Sequence, residues 1–166
     1  HAREAFSATQ ARIEAVSRVH RQLYTSDDMS QVELDAYLTS LVDELRQSLC
    51  SGERACALSV EAEPLKTTTD RTVAVGVLVA ELVTNAVKYA YPDSDGEIRV
   101  RLKREAEGRA RLTVEDDGIG VSEGKDSPKG TGLGKTIIAA MARDLRTDVA
   151  YVYGPKGLSA SLVFDL

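Results

Sequence analysis

The chain has 166 residues, 43% of them hydrophobic and 28% charged, with a formal net charge of -5 and a pI near 5.1. That length suits one domain, or one domain with an appendage, and the apolar content supports a real core. The acidic balance excludes a nucleic-acid binder that relies on a dominant basic patch. The longest apolar run, residues 73–80, is too short to span a membrane and leads directly into Glu81. No secretory leader pattern is visible. Cys50 and Cys56 lack metal-like spacing or a nearby ligand cluster, so they read as reduced cytosolic thiols.

In chain order, residues 2–24 read as a helix, with Phe6, Ile13, Val16, Val19 and Leu23 near helical spacing. The polar turn TSDDMS comes next. Residues 32–49 read as a second helix, in which Leu34, Leu38, Leu41, Leu45 and Leu49 recur at three and four residues; Ser51-Gly52 is its stop. These two helices either pair as a hairpin or pack beside the elements C-terminal to them. Residues 57–63 are a short strand ending at Pro64, and residues 67–70 supply helix N-cap chemistry. Residues 73–91 are a helix stopped by Pro92, because their polar positions fall at helical spacing.

Residues 97–104 are a strand with one wet face, since Ile98, Val100 and Leu102 alternate with charges. Glu107-Gly108 turns the chain into a second strand, residues 110–115, where Leu112 and Val114 alternate likewise. Asp116 continues that period of two and therefore points to the core side. A buried carboxylate is costly unless it is paired or hydrogen-bonded, which makes Asp116 a functional candidate and leaves Asp117 in the turn. Residues 135–145 form a helix with Leu133, Ile137, Met141 and Leu145 at spacing four. Residues 148–153 and 159–166 are closing strands joined through Gly154-Pro155-Lys156-Gly157. There is no internal repeat and no low-complexity segment.

Two groups of residues carry chemistry. The first is a stripe on the helix at residues 73–91: Glu81, Asn85, Lys88 and Tyr89 stand at i, i+4, i+7 and i+8 on one face. Opposite them lies an apolar face of Val75, Leu78, Leu82 and Ala86. An amide oxygen suits magnesium, which takes hard oxygen ligands and shares them with phosphates and water; Lys88 can neutralise phosphate charge. The competing reading is an ordinary solvated helix face. The second group is EDDGIGVSEGKDSPKGTGLG, residues 115–134, in which a carboxylate pair runs into glycines, then a polar loop, then three more glycines ahead of a helix. Backbone N–H groups at such a helix start are a ready anion site. Gly134-Lys135-Thr136 resembles the end of a P-loop, but Lys129 stands where that motif needs glycine. No GxGxxG with dinucleotide spacing is present.

Taken together, Glu81-Leu82-Val83-Thr84-Asn85-Ala86-Val87-Lys88-Tyr89-Ala90, Asp116-Asp117-Gly118-Ile119-Gly120 and Gly130-Thr131-Gly132-Leu133-Gly134 resemble the N box and the two glycine boxes of the GHKL ATPases. That superfamily includes gyrase-type topoisomerases, heat-shock chaperones, MutL proteins and histidine kinases. Within it, ELVTNAVKYAYP followed by GEIRVRL is similar to bacterial sensor histidine kinases related to the HWE subclass. The leader ARIEAVSRVHRQLYTSDDMSQVELDAYLTSLVDEL resembles the second dimerisation helix and connector of that subclass. The histidine that the HWE kinases proper carry in the N box is absent here.

The resemblance implies an α/β fold: a two-layer Bergerat-type sandwich of a mixed sheet and helices, preceded by an N-terminal helical segment. Residues 1–52 would be the leader, the second half of a dimerisation and phosphoacceptor hairpin plus connector. Residues 53–166 would be the ATP-binding catalytic domain of a cytoplasmic two-component sensor histidine kinase. ATP and Mg2+ are the implied cofactors. The implied partners are a response regulator and, through the leader, a second copy of the chain; no nucleic acid is implied, and the chain shows no membrane segment.

Residue by residue, Asp116 matches the aspartate that binds the adenine amino group, and Gly118 and Gly120 match the glycines that let backbone approach the base. Asn85 matches the magnesium ligand and Glu81 the acidic catalytic residue of the N box. Lys88 and Tyr89 match pocket-lining positions, while Gly130, Thr131, Gly132, Leu133 and Gly134 match the lid hinge and phosphate-binding helix start. Residues 121–129 would be a short lid. No phenylalanine box is visible, and Gly157-Leu158 stands where the family carries a Gly-Thr pair. His1 and His20, the only histidines, both lack the HRxKN-like context of a phosphoacceptor, so this chain is expected to hold no phosphoacceptor and not to label itself. Two alternatives stay open: a serine/threonine kinase of the anti-sigma-factor type, whose N box is very similar, and a non-catalytic nucleotide-binding adaptor.

Overall fold

The structure, a computed structural model, describes residues 10, 13, 14, 16, 17, 21, 31–50, 56–91, 96–119 and 132–166. The described residues of the leader, from Gln10 to Arg21, are helical, and Val16 packs against the core. His1, His20, Gly120, Gly130, Thr131 and residues 121–129 lie outside the described residues, as do the Ser51-Gly52 stop and Pro92.

The elements run β1 (Val32–Glu33), α1 (Leu34–Leu49), β2 (Ala57–Ala62), β3 (Lys66–Thr67), α2 (Thr69–Tyr89), β4 (Glu97–Ala106), β5 (Arg109–Asp116), α3 (Leu133–Asp144), β6 (Ala150–Gly154) and β7 (Gly157–Asp165). Five strands form one mixed sheet in the order β2-β4-β5-β7-β6, with β2 parallel to β4 and the remaining pairs antiparallel. The alternation read from the sequence decides which face is inside. Ile98, Val100 and Leu102 on β4, Leu112 and Val114 on β5, and Ala160, Leu162 and Phe164 on β7 are all buried. The other face carries ion pairs, among them Arg99 to Glu115 at 3.0 Å and Arg111 to Glu105 at 2.7 Å. Ion pairs on a solvent-facing side contribute little to stability, so the buried face holds the two layers together.

Helix α2 starts where Thr68 accepts a hydrogen bond from the Arg71 N–H at 3.4 Å. By length and composition it is apolar enough to cross a membrane, but most of it is buried inside the fold. It is the core helix, enclosed on nearly every side from Thr72 to Thr84. Among the described residues, α1 packs against the C-terminal elements. Leu34, Tyr37, Leu38, Leu41, Val42 and Leu45 are buried in the same core cluster as α2 and the sheet. Arg46 fastens the end of α1 to β2, donating to the Leu58 carbonyl at 3.0 and 2.7 Å.

Three features depart from the sequence reading. Cys50 and Cys56 are paired in a disulfide, not free thiols: the end of α1 and the start of β2 lie close enough that their Cα atoms are 5.2 Å apart, within bridging range. The two-residue strands β1 and β3 pair with each other, Val32 with Thr67 and Glu33 with Lys66, a long-range contact with no local signal. On α3 the buried residues are Ile138 and Ala142, one position on from Ile137 and Met141 of the spacing-four stripe; Leu145 of that stripe is buried just past the helix end, and Leu133 is 59% exposed.

Candidate functional site

A cavity of about 750 Å³ lies between the sheet and helices α2 and α3. Its floor comes from β5, β7 and β6, its walls from the two helices. Asn85, Tyr89 and Asp116 line it together with Leu82, Ala86, Val114, Ile138, Lys135, Leu158 and Ala160. A mostly apolar cleft with a few convergent polar groups is the usual form of a small-molecule site.

Asp116 stands at the end of β5 and is only 7% exposed, as the period of two requires. Its Oδ1 accepts the Gly118 N–H at 3.0 Å. Burial pushes its pKa above the ordinary aspartate value, while the backbone N–H groups of Gly118 and Leu158 oppose that shift. Asp117, one residue on, is exposed and takes two hydrogen bonds from Arg99, at 2.7 and 2.8 Å. That pairing holds its carboxyl below the usual range. Two adjacent carboxylates thus have opposite environments: Asp117 anchors the turn outside, and Asp116 faces the cavity.

The backbone around Asp116 is fixed by contacts that allow no side chain. A Cβ at Gly118 would overlap Ala90 at the end of α2, where the Ile119 N–H donates to the Ala90 carbonyl at 3.1 Å. A Cβ at Gly157, whose φ is +105°, would overlap the Asp116 carbonyl. Tyr91 completes the clasp: its hydroxyl accepts the Asp117 N–H at 2.8 Å and donates to the Glu97 carbonyl at 2.7 Å. Sequence reasoning does not find Tyr91 or the role of Gly157. In the sequence, Gly157-Leu158 stands out only as a departure from a motif, although Leu158 lines the cavity and pairs with Asp116 across the strands.

At the other end, α2 and the start of α3 meet. Glu81 is buried, 3% exposed, rather than on a solvated face. Asn85, Lys88 and Tyr89 are half-buried. Gly134 packs over the first two of the stripe: a Cβ there would come within 3.3 Å of the Glu81 Oε2 and 3.8 Å of the Asn85 Oδ1. Gly132, with φ +77°, is the N-cap of α3, and among the described residues no side chain caps that end. Thr136 bonds back to the Gly132 carbonyl through both its N–H and its hydroxyl, at 3.1 Å each. The uncapped first turn leaves backbone N–H groups and the positive end of the helix dipole beside Asn85. Lys135 adds a cation to the cavity lining. The structure therefore brings Glu81, Asn85 and Gly134 together at one end and Asp116, Gly118 and Tyr89 near the other. Of the stripe, Asn85 and Tyr89 line the cavity and Glu81 and Lys88 do not, and Leu133 points outward.

The family described as histidine kinase-, DNA gyrase B-, and HSP90-like ATPase matches residues 70–166, and a histidine kinase family matches residues 1–49. The chain is 26% identical to blue-light-activated histidine kinase 2 of Erythrobacter litoralis, over 97% of this chain and 47% of that protein. It is 27% identical to the sensor histidine kinase PdtaS of Mycobacterium tuberculosis, over 84% of this chain and 28% of that protein. The chain thus spans less than half the length of these relatives. Among solved structures, the histidine kinase domain of an Erythrobacter litoralis blue-light activated histidine kinase superposes with a TM-score of 0.79 at 24% identity, covering 96% of this chain and 75% of that one. The mycobacterial sensor histidine kinase MprB superposes with a TM-score of 0.65 at 20% identity, covering 83% of this chain and 97% of that one. With a mixed five-stranded sheet under helices, and a family match over more than half its length, the chain belongs to the histidine kinase-, DNA gyrase B-, and HSP90-like ATPases, on their sensor histidine kinase branch.

Proposed function

We infer that residues 53–166 bind ATP with magnesium and transfer its γ-phosphoryl group to a histidine imidazole, from which it passes to a response regulator. The observation that carries this reading is the buried Asp116 carboxylate facing a cavity whose other end holds Asn85 and the uncapped start of α3. Asp116 accepts the adenine amino group, and Gly118 keeps the backbone close enough to form the base pocket. Tyr89 covers the base from α2. The triphosphate runs toward Gly132, Leu133 and Gly134, where backbone N–H groups meet anionic oxygens, with Lys88 balancing charge.

The residues present fit magnesium: Asn85 offers a half-buried hard oxygen next to the Glu81 carboxylate. A single protein ligand shared with phosphates and water is a usual arrangement for that ion. When bound, magnesium neutralises charge between the phosphates. Glu81 polarises the reacting centre. Catalysis of phosphoryl transfer is mainly positioning and electrostatics, so these few groups suffice once an imidazole is presented in line.

In this reading residues 1–52 form the leader of a dimeric, cytoplasmic kinase, and Gly120, Gly130 and Thr131 complete the glycine boxes. Neither His1 nor His20 is assigned the acceptor role, because neither has the HRxKN-like context. Transfer of label from γ-labelled ATP to a supplied HRxKN-containing helix tests the proposal. Acid-labile label is expected, slowed by Glu81→Gln with ATP binding retained and reduced with magnesium-dependent binding by Asn85→Ala. Acid-stable label on a hydroxyl would contradict it. Loss of ATP binding in Glu81→Gln would make that residue structural.

A further inference from the structure

The strand register lays two rows of side chains across the cavity floor. Asp116 pairs with Leu158 and Leu158 with Tyr153; Val114 pairs with Ala160 and Ala160 with Tyr151. Directly paired residues of neighbouring antiparallel strands project to the same face, and all six line the cavity. Each row therefore ends on a tyrosine of β6, two strand spacings or roughly 9.5 Å from β5.

β6 is the outermost strand, bonded only to β7, so no strand of the sheet lies beyond these tyrosines. Tyr151 and Tyr153 stack on each other, with ring centroids 6.1 Å apart and planes 22° from parallel. Each ring restricts the rotation of the other. Between Val114 and Tyr151 the row holds only the small Ala160, so the tyrosines stand above the floor as a wall. Tyr153 is 50% exposed and Tyr151 39%, so both rings stand uncovered on the rim of the cavity.

We propose that Tyr153, braced by Tyr151, sets the ring size accepted at the base site. The inference rests on the nucleotide reading above. A planar base that donates its exocyclic amine to Asp116 lies over Leu158 with its far side toward Tyr153. A purine is long enough to make that contact, and a single-ring pyrimidine falls short. The two residues then select different things. Asp116 separates an amine from a carbonyl, hence adenine from guanine, but it does not separate adenine from cytosine, whose amine is equally able to donate. Tyr153 makes that second distinction.

The test is calorimetric titration of the whole chain and its Tyr153→Ala and Tyr153→Phe variants with ATP, CTP and GTP in the presence of magnesium. Circular dichroism checks that each variant is folded. The parent is expected to bind ATP more tightly than CTP or GTP. Tyr153→Ala should weaken ATP about tenfold, the scale of losing one base–aromatic contact. It should leave CTP unchanged and keep the preference for ATP over GTP. Tyr153→Phe should behave as the parent, since the ring and not the hydroxyl makes the contact. Equal weakening of ATP and CTP, or no change in either, overturns the role of Tyr153; a retained preference for ATP over GTP then leaves the nucleotide reading standing. Failure of the parent to bind any of the three nucleotides overturns both.

Discussion

The two ends of the cavity are built differently. Around Asp116 the backbone is held from several sides: Gly118 against Ala90, Gly157 against the Asp116 carbonyl, and the Tyr91 hydroxyl between Asp117 and Glu97. At the start of α3, by contrast, a Cβ on Gly132 would meet nothing within 4 Å among the described residues. Glycine at 118 and 157 is required by contact, and at 132 by conformation alone, φ +77°. The first kind of glycine belongs to a rigid, preorganised recognition element. The second belongs to a helix start that presents its N–H groups outward. The nucleotide site proposed above, which would read a base at one end and hold a charged tail at the other, would profit from this division.

The largest expected effect breaks the rigid end. Gly157→Ala should destabilise the fold by about 3 kcal/mol or more, because overlap with a buried backbone carbonyl adds to strain at a positive φ. Thermal denaturation would register this as a Tm lowered by about 6–12 °C. An unchanged Tm would show that β5 and β7 are not locked together at Asp116.

Next in size is the function of that end. Asp116→Ala should weaken ATP about ten- to a hundredfold, the equivalent of one hydrogen bond to a charged group, with the fold retained. Stability should respond in the opposite direction to the isosteric change. Burial raises the Asp116 pKa in the folded chain, so folding there favours the protonated form. The ionised carboxylate thus costs stability at neutral pH, and that cost is relieved as pH falls through the raised folded value toward the ordinary one. Asp116→Asn, which keeps the shape without the charge, should therefore melt higher than the parent at pH 7 and lose that advantage in acid. Equal melting at both pH values would contradict the account of this carboxylate.

How far the sequence carried the site obeys the same division. The period of two in Ile98, Val100, Leu102 and then Leu112, Val114 aimed Asp116 inward, and local periodicity suffices for that because a strand's facing is set residue by residue. That Asn85 and Tyr89, which line the cavity, share a helix face was legible for the equivalent reason. Tyr91 and Gly157 were not, since their work is done on residues 26 and 41 positions distant, respectively Asp117 and Asp116. The depth of Glu81 was also hidden: its helix carries neighbours on all sides, which only the packing of α1 and α3 supplies. The same tertiary dependence explains α1, whose leucine repeat announced a helix but not its partner, and Cys50–Cys56, whose approach depends on how the end of α1 sits against the start of β2. On α3 the choice of inner face by one residue could not be made from Leu133, Ile137 and Met141, because Ala142 serves as a core residue without looking like one.

The smallest effect sharpens the contrast between the ends. Gly132→Ala meets no neighbour among the described residues and should cost only about 1 kcal/mol, the strain of a positive φ without glycine. A loss as large as that of Gly157→Ala would mean that the start of α3 is as tightly held as the end of β5.

The central claim, that Asp116 makes this cavity an adenine site, is tested most directly by calorimetric titration of the unmodified chain with ATP and with GTP in magnesium. The account predicts saturable binding of ATP and affinity for GTP lower by about tenfold or more, because guanine turns a carbonyl toward the carboxylate. Equal affinity for the two nucleotides, or no binding of ATP at millimolar concentration, would contradict it.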